Sequence, residues 1–209
     1  MNVFVGAPGR EFLGSSEIFI ILFVTLGPIN FINLFARMAA GLDAKAVAGL
    51  AVRSTLLATV AIVFSGIVGS FMLEKWKISV PAIALTGAIV LFVAAMRAIL
   101  ALYGDAAPNA ASAGSTTPSQ LVFPNIATPY GIAALIVLLT LAPDGAKQIY
   151  LVVLAVMLIS LIMMIFVKPL MRVLGVPLGL LGTLVSVLQI ALSIQFAFFA
   201  VRTLLAKGI

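Results

Sequence analysis

Long apolar runs separated by short polar intervals dominate this chain. Each run is about as long as the roughly 20 residues that a helix needs to cross the hydrocarbon of a bilayer. The runs are continuous rather than alternating, as in YLVVLAVMLISLIMMIF, which favours membrane-spanning helices over the strands of a membrane barrel. We therefore predict six transmembrane helices, over residues 17–38, 49–73, 78–102, 121–142, 148–167 and 178–205.

The longest polar interval divides these segments into two groups of three. Residues 103–120 are rich in Ala, Ser, Pro, Thr and Gly, and we interpret them as an extramembrane linker between halves 1–102 and 121–209. Because three crossings turn the second half upside down, we predict an all-α fold of two inverted three-helix repeats, with both termini on one side. Three positions of the third segment recur in the sixth at a constant offset of 105 residues: Arg97, Leu100 and Ala101 match Arg202, Leu205 and Ala206.

The composition supports a membrane assignment independently of the pattern. Of the 209 residues, 64% are hydrophobic and 9% are charged, against about 45–50% and about 25% in an ordinary globular domain. A soluble protein of this size cannot bury so much apolar surface in one core. We predict an integral membrane protein whose main partner is the lipid bilayer.

The charged residues indicate neither a nucleic-acid partner nor the orientation of the chain in the membrane. The net charge is +6, but the Lys and Arg residues are scattered singly, without a basic stripe or a nucleic-acid-binding motif. We therefore predict no nucleic-acid partner. Six basic residues fall on each predicted side of the membrane, so the positive-inside rule leaves the orientation open. The sequence also leaves homo-oligomer formation open.

The residue types that most membrane enzymes use are missing. The chain has no Cys and no His, which excludes thiol redox chemistry, thiolate metal sites, haem ligation and a serine–histidine dyad. Its six acidic residues lie at predicted helix ends or loops and form no paired carboxylates. We predict no enzyme, cofactor or metal centre. A coupling ion, whose identity stays open, would need backbone carbonyls and Asn or Thr oxygens, a set that suits Na⁺.

Proline and uncharged polar residues gather in the first and fourth segments. A proline inside a helix removes one hydrogen bond, and the freed carbonyls must be satisfied by protein or water in a bilayer. The segments are either kinked helices that Asn side chains hold together, or broken helices that meet near the midplane and bind a small polar or zwitterionic solute. The candidate solute-binding residues are Gly27, Pro28, Asn30, Asn33, Asn125, Thr128, Pro129, Tyr130 and Gly131.

A second polar set lies in the sixth segment. Ser186, Gln189 and Ser193 follow helical spacing and share one face. Hydrogen bonding between helices is the favoured role for them, and contact with a solute is the alternative.

Four stretches resemble the MarC family of six-span membrane proteins, also described as small neutral amino-acid transporters. They are GPINFINLFARM, ALTGAIVLFVAAMRAIL, FPNIATPYGIA and LSIQFAFFAVRTLL. The family usually shows Asp-Pro-x-Gly-Asn-x-Pro in the first helix and Gly-Pro-Gly in the fourth. Here Gly27 replaces the acid, Ile29 and Asn30 replace Gly-Asn, and Pro129-Tyr130-Gly131 stands in the second motif. The chain looks like a divergent member.

The resemblance implies a multi-pass protein of the bacterial inner (cytoplasmic) membrane. With the polar residues near the prolines, it favours a secondary transporter or exporter of small neutral or zwitterionic solutes such as amino acids. Alternating access would come from one repeat rocking against the other. One alternative is a membrane component that stabilises or assembles partners without transport. A channel is a weaker alternative because no charged selectivity ring is visible.

Overall fold

The computed structural model describes residues 14–100 and 122–206, and this part of the chain contains helices and no strand. The predicted all-helical class is therefore confirmed. A 3₁₀ turn, Pro28–Asn30, separates the first two helices, a π-helical segment, Val122–Ile126, precedes the fifth, and a second 3₁₀ turn, Pro143–Gly145, precedes the sixth. The helices are α1 Ser15–Leu26, α2 Ile32–Ala39, α3 Ala44–Lys75, α4 Val80–Leu100, α5 Pro129–Leu141, α6 Ala146–Ile165 and α7 Val167–Ala206.

Four of the six predicted spans are continuous helices that are long and apolar enough to cross a membrane. They are Ala44–Lys75, Val80–Leu100, Pro143–Ile165 and Leu180–Ala206. The first and fourth segments instead form the shorter apolar helices Ser15–Leu26 and Pro129–Leu141. The predicted linker, residues 103–120, lies outside the described residues, so the division into two halves stays a prediction.

The helix that carries the sixth predicted span is longer than the span itself. The span was predicted over residues 178–205 and is found at Leu180–Ala206, whereas α7 begins at Val167 and continues for 40 residues with Pro177 inside it. The polar residues Lys168 and Arg172 at its start are both exposed, and Lys168 Nζ donates to the backbone carbonyl of Leu42. This end of α7 thus lies beside the loop that joins α2 to α3.

The helices form one bundle with an apolar exterior. α4 packs along α7, α1 packs against α6 and α5, and α3 packs against α6 and α5. The outward faces carry large apolar side chains with high exposure, such as Leu56 at 66%, Leu151 at 66% and Leu180 at 70%. A surface of this kind is stable in lipid, where these side chains need no burial within the protein.

Glycines allow close approach of α3 and α4 to α5. A Cβ atom on Gly69 would lie 2.3 Å from Cδ1 of Ile136, and one on Gly87 would lie 2.9 Å from Cβ of Ala133. Small residues at such contacts let membrane helices gain van der Waals contact along their backbones. They fix α5 between α3 and α4.

Candidate functional site

The first apolar segment is broken at Gly27 and Pro28. α1 ends at Leu26, Gly27 has an extended backbone with φ −72° and ψ 163°, and Pro28 opens the 3₁₀ turn that leads to α2. A Cβ atom on Gly27 would lie 1.9 Å from the carbonyl oxygen of Phe23. The break therefore needs glycine here because no side chain fits between residue 27 and the last turn of α1.

A second break lies in the fourth apolar segment. The π-helical segment ends with the N–H of Ala127 donating to the carbonyl of Val122 at 2.9 Å. Thr128 then caps α5, since its backbone is extended and its Oγ1 accepts from the N–H of Gly131 at 3.1 Å. Pro129 occupies the first helical position, where its missing N–H costs nothing.

The two breaks are in direct contact. Thr128 Oγ1 donates to the backbone carbonyl of Thr25 in the last turn of α1, at 3.0 Å. Gly131 allows this approach, because a Cβ atom there would lie 2.3 Å from Cδ2 of Leu26. The start of α5 thus sits against the end of α1.

Gln189 of α7 completes the end of α1. Its Nε2 donates to the backbone carbonyl of Val24 at 2.8 Å, and its side chain is buried. Val24 is four residues before Pro28, so its carbonyl is the acceptor that a continuous helix would have paired with the N–H of residue 28. Gln189 therefore supplies the hydrogen bond that Pro28 cannot make.

Tyr130 connects this polar cluster to a cleft. Its side chain is hydrogen-bonded to those of Thr128 and Gln189. The cleft lies between α4, α5 and α7, is partly open to the surroundings with room for about one water molecule, and is apolar apart from Tyr130. Its lining residues are Ile83, Ala84, Gly87, Leu91, Tyr130, Ala133, Ala134, Val137 and Phe196.

The structure brings together only part of the predicted site. Gly27, Pro28, Thr128 and Gly131 are buried and Tyr130 is half-buried, all at the contact between the breaks. Asn125 is half-buried in the π-helical segment, and Asn30 ends the 3₁₀ turn. The prediction that Asn30 and Asn33 share a face required one continuous helix, but the 3₁₀ turn separates α1 from α2. Asn33 and Pro129 are both exposed.

The second polar set is divided in the same way. Gln189 reaches the end of α1, as a role between helices requires. Ser186 Oγ donates to the carbonyl of Gly182 at 3.0 Å, and Ser193 Oγ donates to that of Ile190 at 2.7 Å. These two hydroxyls bond within their own helix.

The sequence interpretation missed two hydroxyls of α3. Ser54 and Thr55 are 0% and 8% exposed, and their oxygens have no hydrogen-bond partner in the described part of the chain. A Ser-Thr pair inside an apolar segment was the available signal. Within residues 14–100 and 122–206, no group of three or more His, Cys, Asp and Glu side chains could hold a metal ion.

Comparison with known proteins gives one match. Residues 14–205 match the family model described as MarC family integral membrane protein, which covers nearly the whole chain. No curated protein and no solved structure matches the chain.

Proposed function

Because the chain belongs to the MarC family of integral membrane proteins, we propose that it is a secondary transporter or exporter of small neutral or zwitterionic solutes such as amino acids. It is a multi-pass membrane protein, and we place it in the bacterial inner membrane with both termini on the same side. The proposed mechanism is alternating access at a site between two inverted repeats.

The contact between the two helix breaks is the observation that carries this proposal. A broken membrane helix presents unpaired N–H groups at one end and carbonyls at the other, and these suit the carboxylate and ammonium groups of a zwitterion. Irregular backbone at membrane depth is stable only where protein or a cavity supplies partners. Here both breaks meet beside a cleft whose polar edge is Tyr130.

The pairing of helices supports the inverted repeat. The first break packs against α6, and the second break packs against α3. These two contacts correspond to each other, because α3 and α6 are the middle segments of the two halves and lie about one repeat apart in the sequence. α4 and α7, the last segments of the halves, pack along each other. A pseudo-two-fold axis between α4 and α7 would relate all of these pairs.

A rocking motion has a natural division in this bundle. The first repeat contains α1 to α4, and the second contains the second break with α5 to α7, so these are the two groups that would move. The bond between Gln189 and the Val24 carbonyl joins the two groups, and the cleft that Tyr130 borders lies between them. Opening and closing of that boundary would expose the polar cluster to each side in turn.

The same hydrogen bonds also favour a second candidate, a membrane component that does not transport. Thr128 and Gln189 donate to backbone carbonyls within the protein, as residues that only hold helices together would. A stable partner that co-purifies with the protein would support this candidate.

Flux across a bilayer distinguishes the two candidates. The purified protein in liposomes is expected to exchange labelled alanine, glycine or serine against the same unlabelled solute inside. Asn125→Ala should abolish exchange, because it removes the amide of the second break, while circular dichroism shows a folded protein. The matched control, Asn109→Ala in the predicted linker, should exchange like the parent. No exchange across a broad panel of small neutral solutes would contradict transport.

A further inference from the structure

Ser54 and Thr55 differ from nine other hydroxyls of the described helices. In a helix, Ser and Thr side chains commonly donate to the carbonyl three or four residues earlier. Nine hydroxyls of the described helices do so: Thr25, Thr59, Ser70, Thr86, Thr140, Ser160, Ser186, Ser193 and Thr203. The oxygens of Ser54 and Thr55 are buried and bond neither their own helix nor any other described residue.

These two hydroxyls lie on the inward face of α3. Val47, Ala51 and Ala58 are buried on the same side of the helix. A polar group that is buried without a partner is unfavourable, because it has lost its bonds to water and gained none in return. Two such groups on adjacent residues therefore mark a place where a bound ligand would supply the polar contacts that the protein does not.

The directions of the helices place this pair beside the second break. Gln148 at the start of α6 donates to Ser15 at the start of α1, so both helices begin at one end of the bundle. α3 returns from α1 and α2, and α5 precedes α6 through a short turn, so α3 and α5 run in the same direction. The π-helical segment precedes α5 and packs against α3. It must therefore lie toward the start of α3.

The heights of the two features agree. Gly66 of α3 lies opposite Leu135 and Leu139 of α5. With a helical rise of about 1.5 Å per residue, Thr55 lies about 16 Å before Gly66, and Pro129, where α5 begins, lies about 9 Å before Leu135. The three residues from Ile126 to Pro129 can span the remaining distance of about 7 Å. The two hydroxyls and the end of the π-helical segment thus reach the same depth.

The chemistry at this place suits a small monovalent cation. The available ligands are neutral oxygens, namely the two hydroxyls of α3 and the backbone carbonyls of the π-helical segment that packs against it. Hard cations prefer oxygen ligands, and the described residues offer no acidic cluster that would favour a divalent ion. We propose that Ser54 and Thr55, together with carbonyls of the second break, bind Na⁺. This inference rests on the proposed function, in which Na⁺ would be the coupling ion.

The other half of the chain lacks the same arrangement. Ser160 follows Thr55 by the repeat offset of 105 residues, is buried, and lies on α6, which packs against the first break. Its hydroxyl, however, donates to the carbonyl of Val156 at 2.9 Å. Because that hydroxyl is already satisfied, we assign one Na⁺ site, at the second break.

Thermal unfolding of the full-length protein in detergent tests this site without any transport assay. Circular dichroism would follow the Tm in NaCl and in choline chloride at equal ionic strength. Na⁺ is expected to raise the Tm of the parent by several degrees in a saturable manner. Ser54→Ala combined with Thr55→Val should lose this rise. Ser160→Ala and Thr59→Val, which remove hydroxyls bonded to their own helix, should keep it.

The sign of the stability change in choline gives a second readout. Without Na⁺ the double variant should be at least as stable as the parent, because it removes two unsatisfied polar groups. In Na⁺ the parent should be the more stable protein. This reversal separates loss of a ligand from simple damage to packing, which would lower the Tm in both salts.

Three outcomes would overturn the inference. The first is a parent Tm that is equal in NaCl and choline chloride, and the second is a rise in Tm with Na⁺ that survives in the double variant. The third is a rise in the Tm of the parent when alanine is added in choline chloride, if the double variant lacks this rise. The last result would assign the hydroxyls to the solute. Exchange of labelled alanine without any Na⁺ effect would leave the proposed function intact, whereas Na⁺ stabilisation without exchange would contradict transport alone.

Discussion

At the residue scale, the end of α1 shows how a membrane protein tolerates a proline. Pro28 removes the N–H that would bond the Val24 carbonyl, and Gln189 donates to that carbonyl from 165 positions away. Thr128 donates in the same way to the next carbonyl, that of Thr25. In lipid these donors replace the water that would satisfy a helix end in a soluble protein.

The first prediction concerns Gln189. Gln189→Leu keeps the volume but leaves the Val24 carbonyl without this donor, and should lower the free energy of unfolding by about 1–2 kcal/mol. Equilibrium unfolding in mixed micelles with increasing sodium dodecyl sulfate measures the change. Gln195→Leu is the matched control, because Gln195 lies on the same helix and is only half-buried. Equal effects of the two substitutions would show that the bond to Val24 does not stabilise the fold.

The amount that the sequence could foretell differs from residue to residue. Pro28 and Thr128 were identifiable from local sequence. Proline interrupts a helix, and a Thr directly before a proline is a typical N-terminal cap of the helix that follows. Gln189 was identifiable as polar but not as the partner of Val24. That pairing depends on how α7 crosses α1, which no local pattern encodes.

At the element scale, the two breaks were predictable and their consequences were not. The sequence placed interruptions at the prolines of the first and fourth segments, and both segments are interrupted there. Helical spacing then put Asn30 and Asn33 on one face, but the intervening 3₁₀ turn has about three residues per turn and changes the phase. Asn33 consequently lies on the exposed side of α2.

The first turns of α7 extend beyond the predicted span for a different reason. Hydropathy locates the part of a helix that lies in hydrocarbon, not the part that extends beyond it. Pro169 falls in the first turn of α7, where the N–H groups have no intrahelical acceptor, so it does not end the helix. Lys168 and Arg172 then lie on a helix rather than in the expected loop.

The prediction at this scale concerns Gly27. Gly27→Ala would place Cβ 1.9 Å from the Phe23 carbonyl oxygen, so the backbone of the break must move. We expect a loss of stability of about 3 kcal/mol or more, comparable with other strained backbone substitutions. Gly49→Ala is the control, since nothing lies within 4 Å of that Cβ position. It should be neutral or stabilising by up to about 1 kcal/mol.

Thermal melts of both variants in one detergent make this comparison. A Gly27→Ala protein with the Tm of the parent would mean that the first break has a different geometry from the one described here.

At the scale of the whole molecule, the composition identifies the lipid bilayer as the environment of the protein, whereas the candidate site depends on tertiary structure. An excess of apolar residues and a lack of charges require a membrane, and the apolar exteriors of α3, α6 and α7 agree with it. The hydrogen bonds that assemble the site join positions 103 and 165 residues apart. Such pairings arise only when the start of α5 and α7 pack against α1, so they lay beyond sequence patterns.

This arrangement makes Tyr130 a direct test of the site. Its hydroxyl belongs to the polar cluster at the breaks, and its ring borders the cleft between α4, α5 and α7. A solute that enters from the cleft would meet this hydroxyl before reaching the helix ends. Tyr150, on α6, is also half-buried, but it lies beside Gly66 and outside the cluster.

The central claim is that solute crosses the membrane through the site where the two helix breaks meet. The most direct measurement is the concentration dependence of labelled alanine exchange in proteoliposomes, for the parent, Tyr130→Phe and Tyr150→Phe. We predict saturable exchange by the parent, a rise in apparent KM of about tenfold for Tyr130→Phe, as expected for loss of one hydrogen bond worth about 1.4 kcal/mol, and parent-like exchange by Tyr150→Phe. Exchange that is equal in all three proteins, or absent from the parent, would contradict the claim.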